Sequence, residues 1–359
     1  MNLVDSATRP EASTTAELHV GVNFTARPFD RASASASLAL LLRHVAASGY
    51  RFTTTTPLSR QRILGYRSHL TGTTLRDIFG WNLLFEASAV EPELLAMMGR
   101  AGVLLPCGSL LCSAVCIATI DNDFFLHSSH QATEPSAVFF GPDTYHFVRF
   151  MQRALQAIGA REGSSAHAQG GTALRILDVG CGSGAAGIVA ARQLTHRGIS
   201  PIVTMSDINP LALCFCAINA EIAGIPIIVA SGDALAAVDG EFDLIIVNPA
   251  YLDDRSDCAC DYSGSGIGSM RNMGIATEAL ARLAPGGHLL LYGSVAIIDG
   301  KDPFRAELLP RLAAARCDWS YAEIEPDVFG EDIDNPAQAR NDRIAVIGVI
   351  AQRGQASAR

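Results

Sequence analysis

Apolar positions along this chain fall into two regimes. From Leu38 to Ala47 they recur at helical spacing, and Gly49 ends the run. Ser59–Leu70, Thr74–Phe79 and Glu91–Ala101 each pair a similar period with a cap or stop residue, and read as short helices. Val103 to Ile120 then carries no charge, over a length that brings a bilayer span into view. Pro106, Gly108 and Ser109 interrupt it with a turn signature, and β-branched residues follow, so two buried strands joined by a turn are expected, with Phe124–His127 as a third. Residues 1–36 are rich in Ser, Thr and Ala with little periodicity, and are expected to form a loose arm. Helices followed by a small hairpin predict a smaller, mainly helical, winged-helix-like domain over residues 37–135.

The second regime follows the Gly/Ser/Ala-rich stretch Gly159–Gly171, which reads as a flexible loop. Strand, glycine turn and helix now repeat, with short apolar runs at Leu174–Val179, Ile202–Ser206, Pro226–Ala230, Leu244–Val247 and His288–Tyr292. Such runs are what parallel strands covered on both faces require. Ser320–Glu323 and Ile344–Ala351 have no helix of adequate length between them, and predict an antiparallel pair finishing one edge of the sheet. The predicted class is α/β: a doubly wound, Rossmann-like sheet over residues 136–359, beside the smaller N-terminal domain.

Composition narrows the partners. Lys+Arg is 27 against Asp+Glu 36, a formal net charge of −9, and Lys301 is the one lysine. An acidic total argues against broad electrostatic binding to nucleic acid, although Arg60, Arg62, Arg67 and Arg76 lend the N-terminal domain a modest basic face. Hydrophobic residues make up 49% of the chain and charged residues 18%, which excludes a disordered protein. The nine cysteines form no paired CxxC modules, so neither a zinc ribbon nor a disulfide framework is expected; Cys258 and Cys260 lack further ligands nearby. No basic stretch followed by an apolar run opens the chain. A cytoplasmic protein with reduced thiols, no metal and no membrane span is the expectation. Oligomeric state is not legible.

The chemistry concentrates at strand ends. Leu177-Asp178-Val179-Gly180-Cys181-Gly182-Ser183-Gly184 leaves a buried strand and enters an Ala-rich helix, and its glycines allow a sharp turn and close approach of a ligand. The spacing reads as GxGxG rather than the GxGxxG of a dinucleotide site. Asp207 ends the next strand within Ser206-Asp207-Ile208-Asn209-Pro210, where a carboxylate can accept from both hydroxyls of an adenosine ribose. Asp233 follows the third strand in Ser231-Gly232-Asp233-Ala234, and Asn248-Pro249-Ala250-Tyr251 follows the fourth. This combination resembles the class I S-adenosylmethionine-dependent methyltransferases over roughly residues 138–351. The resemblance implies a seven-stranded sheet with an antiparallel edge pair and S-adenosylmethionine as cofactor. It further implies that Gly180, Gly182 and Gly184 shape the pocket and that Asp178 lies near the methionine amino group. Asp207 would hold the ribose and Asp233 the adenine end, with Ile208, Ala234 and Asn248 as further cofactor-binding residues.

Asn248-Pro249-Ala250-Tyr251 is close to the (N/D)PPY motif of amino-group methyltransferases. The Asn oxygen and the carbonyl of Pro249 can accept two hydrogen bonds from an NH2 group, while Tyr251 packs beside it. Ala250 replaces the second proline and loosens the turn. Phe139-Phe140-Gly141-Pro142-Asp143-Thr144-Tyr145 resembles the segment that folds over the cofactor in the same enzymes; Asp143 or Thr144 can cap the following helix, and Tyr145 is expected to face the sulfonium or the substrate. The Gly/Ser-rich loop after Tyr251, with Tyr262, Asp253 and Asp254, is expected to line a small-molecule site. The leading expectation is transfer of a methyl group to an amine or other small nucleophile in specialised metabolism. Three others stay open. The pocket can hold the cofactor's own amino group and close a four-membered ring, as in the azetidine-2-carboxylate synthases, releasing methylthioadenosine. It can serve a thioether such as methionine. Last, the N-terminal domain can read nucleic acid, or serve an RNA or protein N-methyltransferase.

Overall fold

The computed structural model describes residues 31–130, 132, 134, 136–162, 173–249, 267–328 and 341–355. Helix α1 spans Arg31–Ala47, so residues 31–36, read as arm, are helical; Leu38, Leu41, Leu42 and Val45 are its buried stripe. Helix α2 (Pro57–Gly65) buries none of its residues and stops short of the predicted Leu70, leaving Tyr66 93% exposed. The predicted helix at Thr74–Phe79 is a single π-turn, Arg76–Gly80. Asp77 accepts from the Thr73 and Thr74 amides and the Thr74 hydroxyl, while its own amide donates to Thr74 Oγ1, a reciprocal cap at the start of that turn. Strands β1 (Thr71–Gly72) and β2 (Leu84–Phe85), helix α3 (Pro92–Arg100) and strands β3 (Leu104–Cys107) and β4 (Leu110–Ser113) follow, the strands forming a sheet ordered β1-β2-β4-β3.

Strands β5 (Val115–Ile120) and β6 (Asp123–Ser128) form a separate antiparallel hairpin in which every strand residue is buried. Its two faces serve two cores. Val115, Ile117, Phe124 and Leu126 pack with α1 and α3, whereas Ala118, Ile120 and Phe125 pack toward the C-terminal half. That double burial is why this stretch carries so little charge. Among the described residues no helix is long and apolar enough to cross a membrane.

Helix α4 (Pro142–Glu162) leads into the large sheet: β7 (Leu174–Val179), α5 (Ala185–Thr195), β8 (Pro201–Asp207), α6 (Pro210–Ala223), β9 (Ile227–Ser231), β10 (Phe242–Val247), α7 (Ile267–Ala281), β11 (Leu283–Ile297), α8 (Pro303–Ala314), β12 (Cys317–Glu325) and β13 (Arg343–Arg353). Its order is β12-β13-β11-β10-β7-β8-β9, parallel except for β13, which runs antiparallel to both neighbours. The predicted α/β class and antiparallel edge pair are present. Helix α6 faces both ways, since Ala212, Phe215 and Ile218 belong to the core built by α1 and α3. Asn219 ties the halves together. Wholly buried, it accepts from the Leu126 amide at 2.8 Å, and donates to the Leu126 carbonyl at 3.2 Å and the Ser183 carbonyl at 2.9 Å.

Candidate active site

Register places the motif residues on one line. Val179 pairs with Ser206 on one side and Val247 on the other, so Gly180, Asp207 and Asn248 leave three adjacent strands at the same level. Gly180, Gly182 and Gly184 all have positive φ, at 66°, 53° and 81°. A Cβ at Gly180 or Gly182 would meet nothing within 4 Å, whereas one at Gly184 would lie 2.8 Å from Cys216 Sγ. The first two thus leave a cradle open at the strand ends, and the third lets the helix start close to α6. The loop is pinned to β8, because the Cys181 amide donates to the Ser206 carbonyl at 3.0 Å.

Asp207 holds this loop. One carboxylate oxygen accepts from the Gly182 amide at 2.9 Å and the other from the Asn209 amide at 2.8 Å. Beside it Ile208 is 59% exposed, an apolar surface at the mouth of the cradle. Asp233 is exposed at the end of β9, and Ala234 takes a left-handed φ of 47° while its carbonyl accepts from the Ser206 hydroxyl at 3.2 Å. Asp178 closes the same strand end from within the core. It is 2% exposed, and its Oδ2 accepts from the Gly187 amide in the first turn of α5 at 2.8 Å. Burial, with the nearby Asp207 charge adding to it, pushes this carboxyl up to about 7 despite the Gly187 hydrogen bond.

Gly187 is a residue that motif reading missed. A Cβ there would lie 2.4 Å from Met205 Cε and 3.0 Å from Asp178 Oδ2, so α5 packs against β7 and β8 only because this position is bare. Counted from Gly182, the glycines do run GxGxxG, and the spacing argument against a dinucleotide fails at this residue.

At the reacting end, Asn248 Nδ2 donates to Asp143 Oδ2 at 3.3 Å, and the Tyr292 hydroxyl donates to Asp143 Oδ1 at 3.1 Å. Asp143 comes from the first turn of α4 and was expected only as a cap; its carboxylate instead faces across the site. Burial raises its pKa, opposed by the bonds from Asn248 and Tyr292. With the amide nitrogen claimed by a carboxylate, Asn248 Oδ1 must point the other way, and it is a buried acceptor without a hydrogen-bond partner. Pro249 beside it is buried. Tyr145 turns toward the N-terminal half: its oxygen accepts from the Thr54 amide at 3.1 Å, and its ring meets Phe140 edge-on at 5.5 Å. Tyr251, Tyr262, Asp253, Asp254, Ala250, Cys258 and Cys260 lie outside the described residues. Among the described residues no three His, Cys, Asp or Glu side chains converge as a metal site.

Residues 166–294 match the methyltransferase small domain family. That span runs from before β7 into β11, and so contains the glycine loop, Asp207, Asp233 and Asn248. The fold is that of the class I S-adenosylmethionine-dependent methyltransferases. Among curated proteins, release factor glutamine methyltransferase from Deinococcus radiodurans is 33% identical over 44% of this chain, and the chain spans only 55% of that protein. Ribosomal RNA small subunit methyltransferase C from Shewanella amazonensis is 35% identical over 23% of each chain. Among solved structures, that of M. jannaschii TYW2 in complex with AdoMet is 12% identical, with a TM-score of 0.43 over 68% of this chain and 87% of that one. The fold supports S-adenosylmethionine as the cofactor, and the strand ends offer chemistry that fits it: open glycines at a helix start, a carboxylate at the end of β8, and an apolar surface at Ile208.

Proposed function

We infer that this methyltransferase-fold protein transfers the methyl group of S-adenosylmethionine to the nitrogen of a small amine. When bound, that cofactor supplies an electrophilic methyl carbon on a sulfonium. The single observation that carries the nucleophile class is the buried, unpartnered Asn248 Oδ1, an acceptor aimed away from the carboxylate that holds its own amide nitrogen. A buried acceptor left unpaired costs about 1–3 kcal/mol, and a substrate N–H docked there recovers it. Asn248 Oδ1 and the Pro249 carbonyl would each accept from the NH2 group and leave its lone pair free for in-line attack. Asp143, braced by Tyr292, keeps the amide from flipping. The chain's remaining contribution is positioning and exclusion of water, with Tyr251 and Tyr262 as the proposed walls. Asp207 and Ile208 would take the ribose, Asp233 and Ala234 the adenine, and Gly180, Gly182 and Gly184 the close approach.

The experiment incubates the full chain with S-adenosylmethionine, alone and with a panel of primary amines and thioethers, and identifies products by mass spectrometry. S-adenosylhomocysteine formed only with an amine is the expected result. Methylthioadenosine and a four-membered-ring amino acid from the cofactor alone would overturn amine methylation in favour of cyclisation, and turnover with methionine alone would assign the thioether. Asn248→Ala should lower turnover at least tenfold while S-adenosylhomocysteine still binds; Asp207→Ala should abolish that binding, and normal affinity in the Asp207 variant would refute the ribose assignment.

A further inference from the structure

The two-residue turn Gly108–Ser109 sets the register of β3 and β4 so that Cys107 faces Leu110 and Leu105 faces Cys112. Gly108 supplies the positive φ, at 63°, that the turn needs. Cys107 and Cys112 are therefore diagonal neighbours on one face of the hairpin, and their sulfurs lie 3.0 Å apart. Cys107 is half-buried and Cys112 is 4% exposed. Burial and the adjacent thiol push Cys112 up to about 12, so the outer thiol, not the inner, is the one that meets solvent reagents.

The chain offers a natural contrast. Cys181, inside the glycine loop, is held well above the usual thiol range by its contact with Cys216 and by burial, and Cys216 is wholly buried. Both members of that second thiol pair are buried, whereas Cys107 is half-buried. Cys116 is 1% exposed, Cys214 Sγ lies 3.4 Å from the Ser35 hydroxyl, and Cys317 Sγ lies 3.7 Å from the Ala315 carbonyl. Only the β3–β4 hairpin combines a neighbouring thiol with partial access, among the described residues.

We propose that Cys107 and Cys112 form a reversible intrachain disulfide by exchange with a low-molecular-weight disulfide of the glutathione class. The Cys107 thiolate attacks one sulfur of the oxidant and releases one small thiol, leaving a mixed disulfide. Cys112 gives its proton to solvent and attacks Cys107 Sγ, and the second small thiol departs. Two protein thiols and one small disulfide thus become one protein disulfide and two small thiols. The bond staples the outer strand β3 to β4 within a short loop, and needs no change of strand register.

The test treats the full chain, with Cys258→Ser and Cys260→Ser in the background, with oxidised glutathione, then quenches with acid and alkylates. The expected product is lighter by two hydrogen atoms, with no backbone fragments between positions 107 and 112, and is restored by dithiothreitol. Cys181 and Cys216 stay reduced. Cys112→Ser should trap a stable glutathione adduct on Cys107, and Cys107→Ser should show neither adduct nor crosslink, which keeps the test decisive should one variant fail to fold. A lasting adduct on Cys107 of the Cys112-containing protein, oxidation at Cys181–Cys216 instead, or no reaction at the hairpin would each overturn the proposal.

Discussion

Asp178, Asp143 and Asn248 show how far a side chain's role depends on what reaches it from elsewhere in the chain. Asn248 and Asp207 are legible from sequence, because each sits in a short motif at a strand end. The partner of Asn248 is not: Asp143 lies 105 positions earlier, and no local pattern links the two. Asp178 was legible as a motif residue but not as a buried one. Its carboxyl, pushed up to about 7 in the fold, binds its proton more tightly than the unfolded chain does, whose value is about 3.9. The stability this contributes is fully present below about pH 4 and is lost as pH rises through 7. Asp178→Asn keeps an acceptor for the Gly187 amide and removes the charge. Without cofactor, its melting temperature should therefore gain on the wild-type protein between about pH 5 and pH 8. A difference that stays constant over that range would show Asp178 already ionised at the acid end.

The glycine loop behaves as an element in which each glycine answers a different demand. Gly182 and Gly184 both have positive φ, which costs an alanine about 1–2 kcal/mol. They part company in what surrounds them. Open space at Gly182 means that Gly182→Ala should cost only that strain while narrowing the cradle, so S-adenosylhomocysteine affinity should fall more than stability. At Gly184 the new methyl meets the buried Cys216 Sγ, adding about 1–3 kcal/mol of overpacking. Urea unfolding of the two variants, read beside calorimetric titration, separates these effects; equal stabilities would contradict the packing role of Gly184. The same comparison explains a misjudged element. Sequence spacing carried helix past Gly65 and across Thr74–Phe79, yet α2 buries nothing that would reward an extension, and a single π-turn after the Thr74–Asp77 cap already buries Ile78 and Phe79.

At the scale of the molecule, the N-terminal segment and the half built on the seven-stranded sheet share cores rather than meeting as finished units. The β5–β6 hairpin lies between them with both faces covered, and Arg192 of α5 donates to Asp123 of β6 through Nε at 2.7 Å. Asn219 joins both sides of this seam, since one amide serves the hairpin backbone and the glycine loop together. Asn219→Ala would strip partners from the Leu126 amide and carbonyl and from the Ser183 carbonyl. Stability should fall by about 3 kcal/mol in urea unfolding, as expected for buried polar groups left unpaired. Weaker S-adenosylhomocysteine binding should accompany it, because Ser183 stands between Gly182 and Gly184. A loss within a few tenths of a kcal/mol would mean that the seam tolerates water.

What the sequence determined by itself is the α/β class, the order of strands and helices after residue 173, and the strand-end motifs. Those signals are local: apolar runs of strand length, glycines at turns, and a carboxylate or amide just past each strand. The tertiary structure decided which groups face one another across long separations. It turned Asp143 onto Asn248, buried Asp178 against α5, sent Tyr145 toward Thr54, and placed a largely apolar hairpin between two cores. Each of these depends on burial and on hydrogen bonds between distant segments, and a charge or acceptor acquires its energetic meaning only when water has been removed from around it.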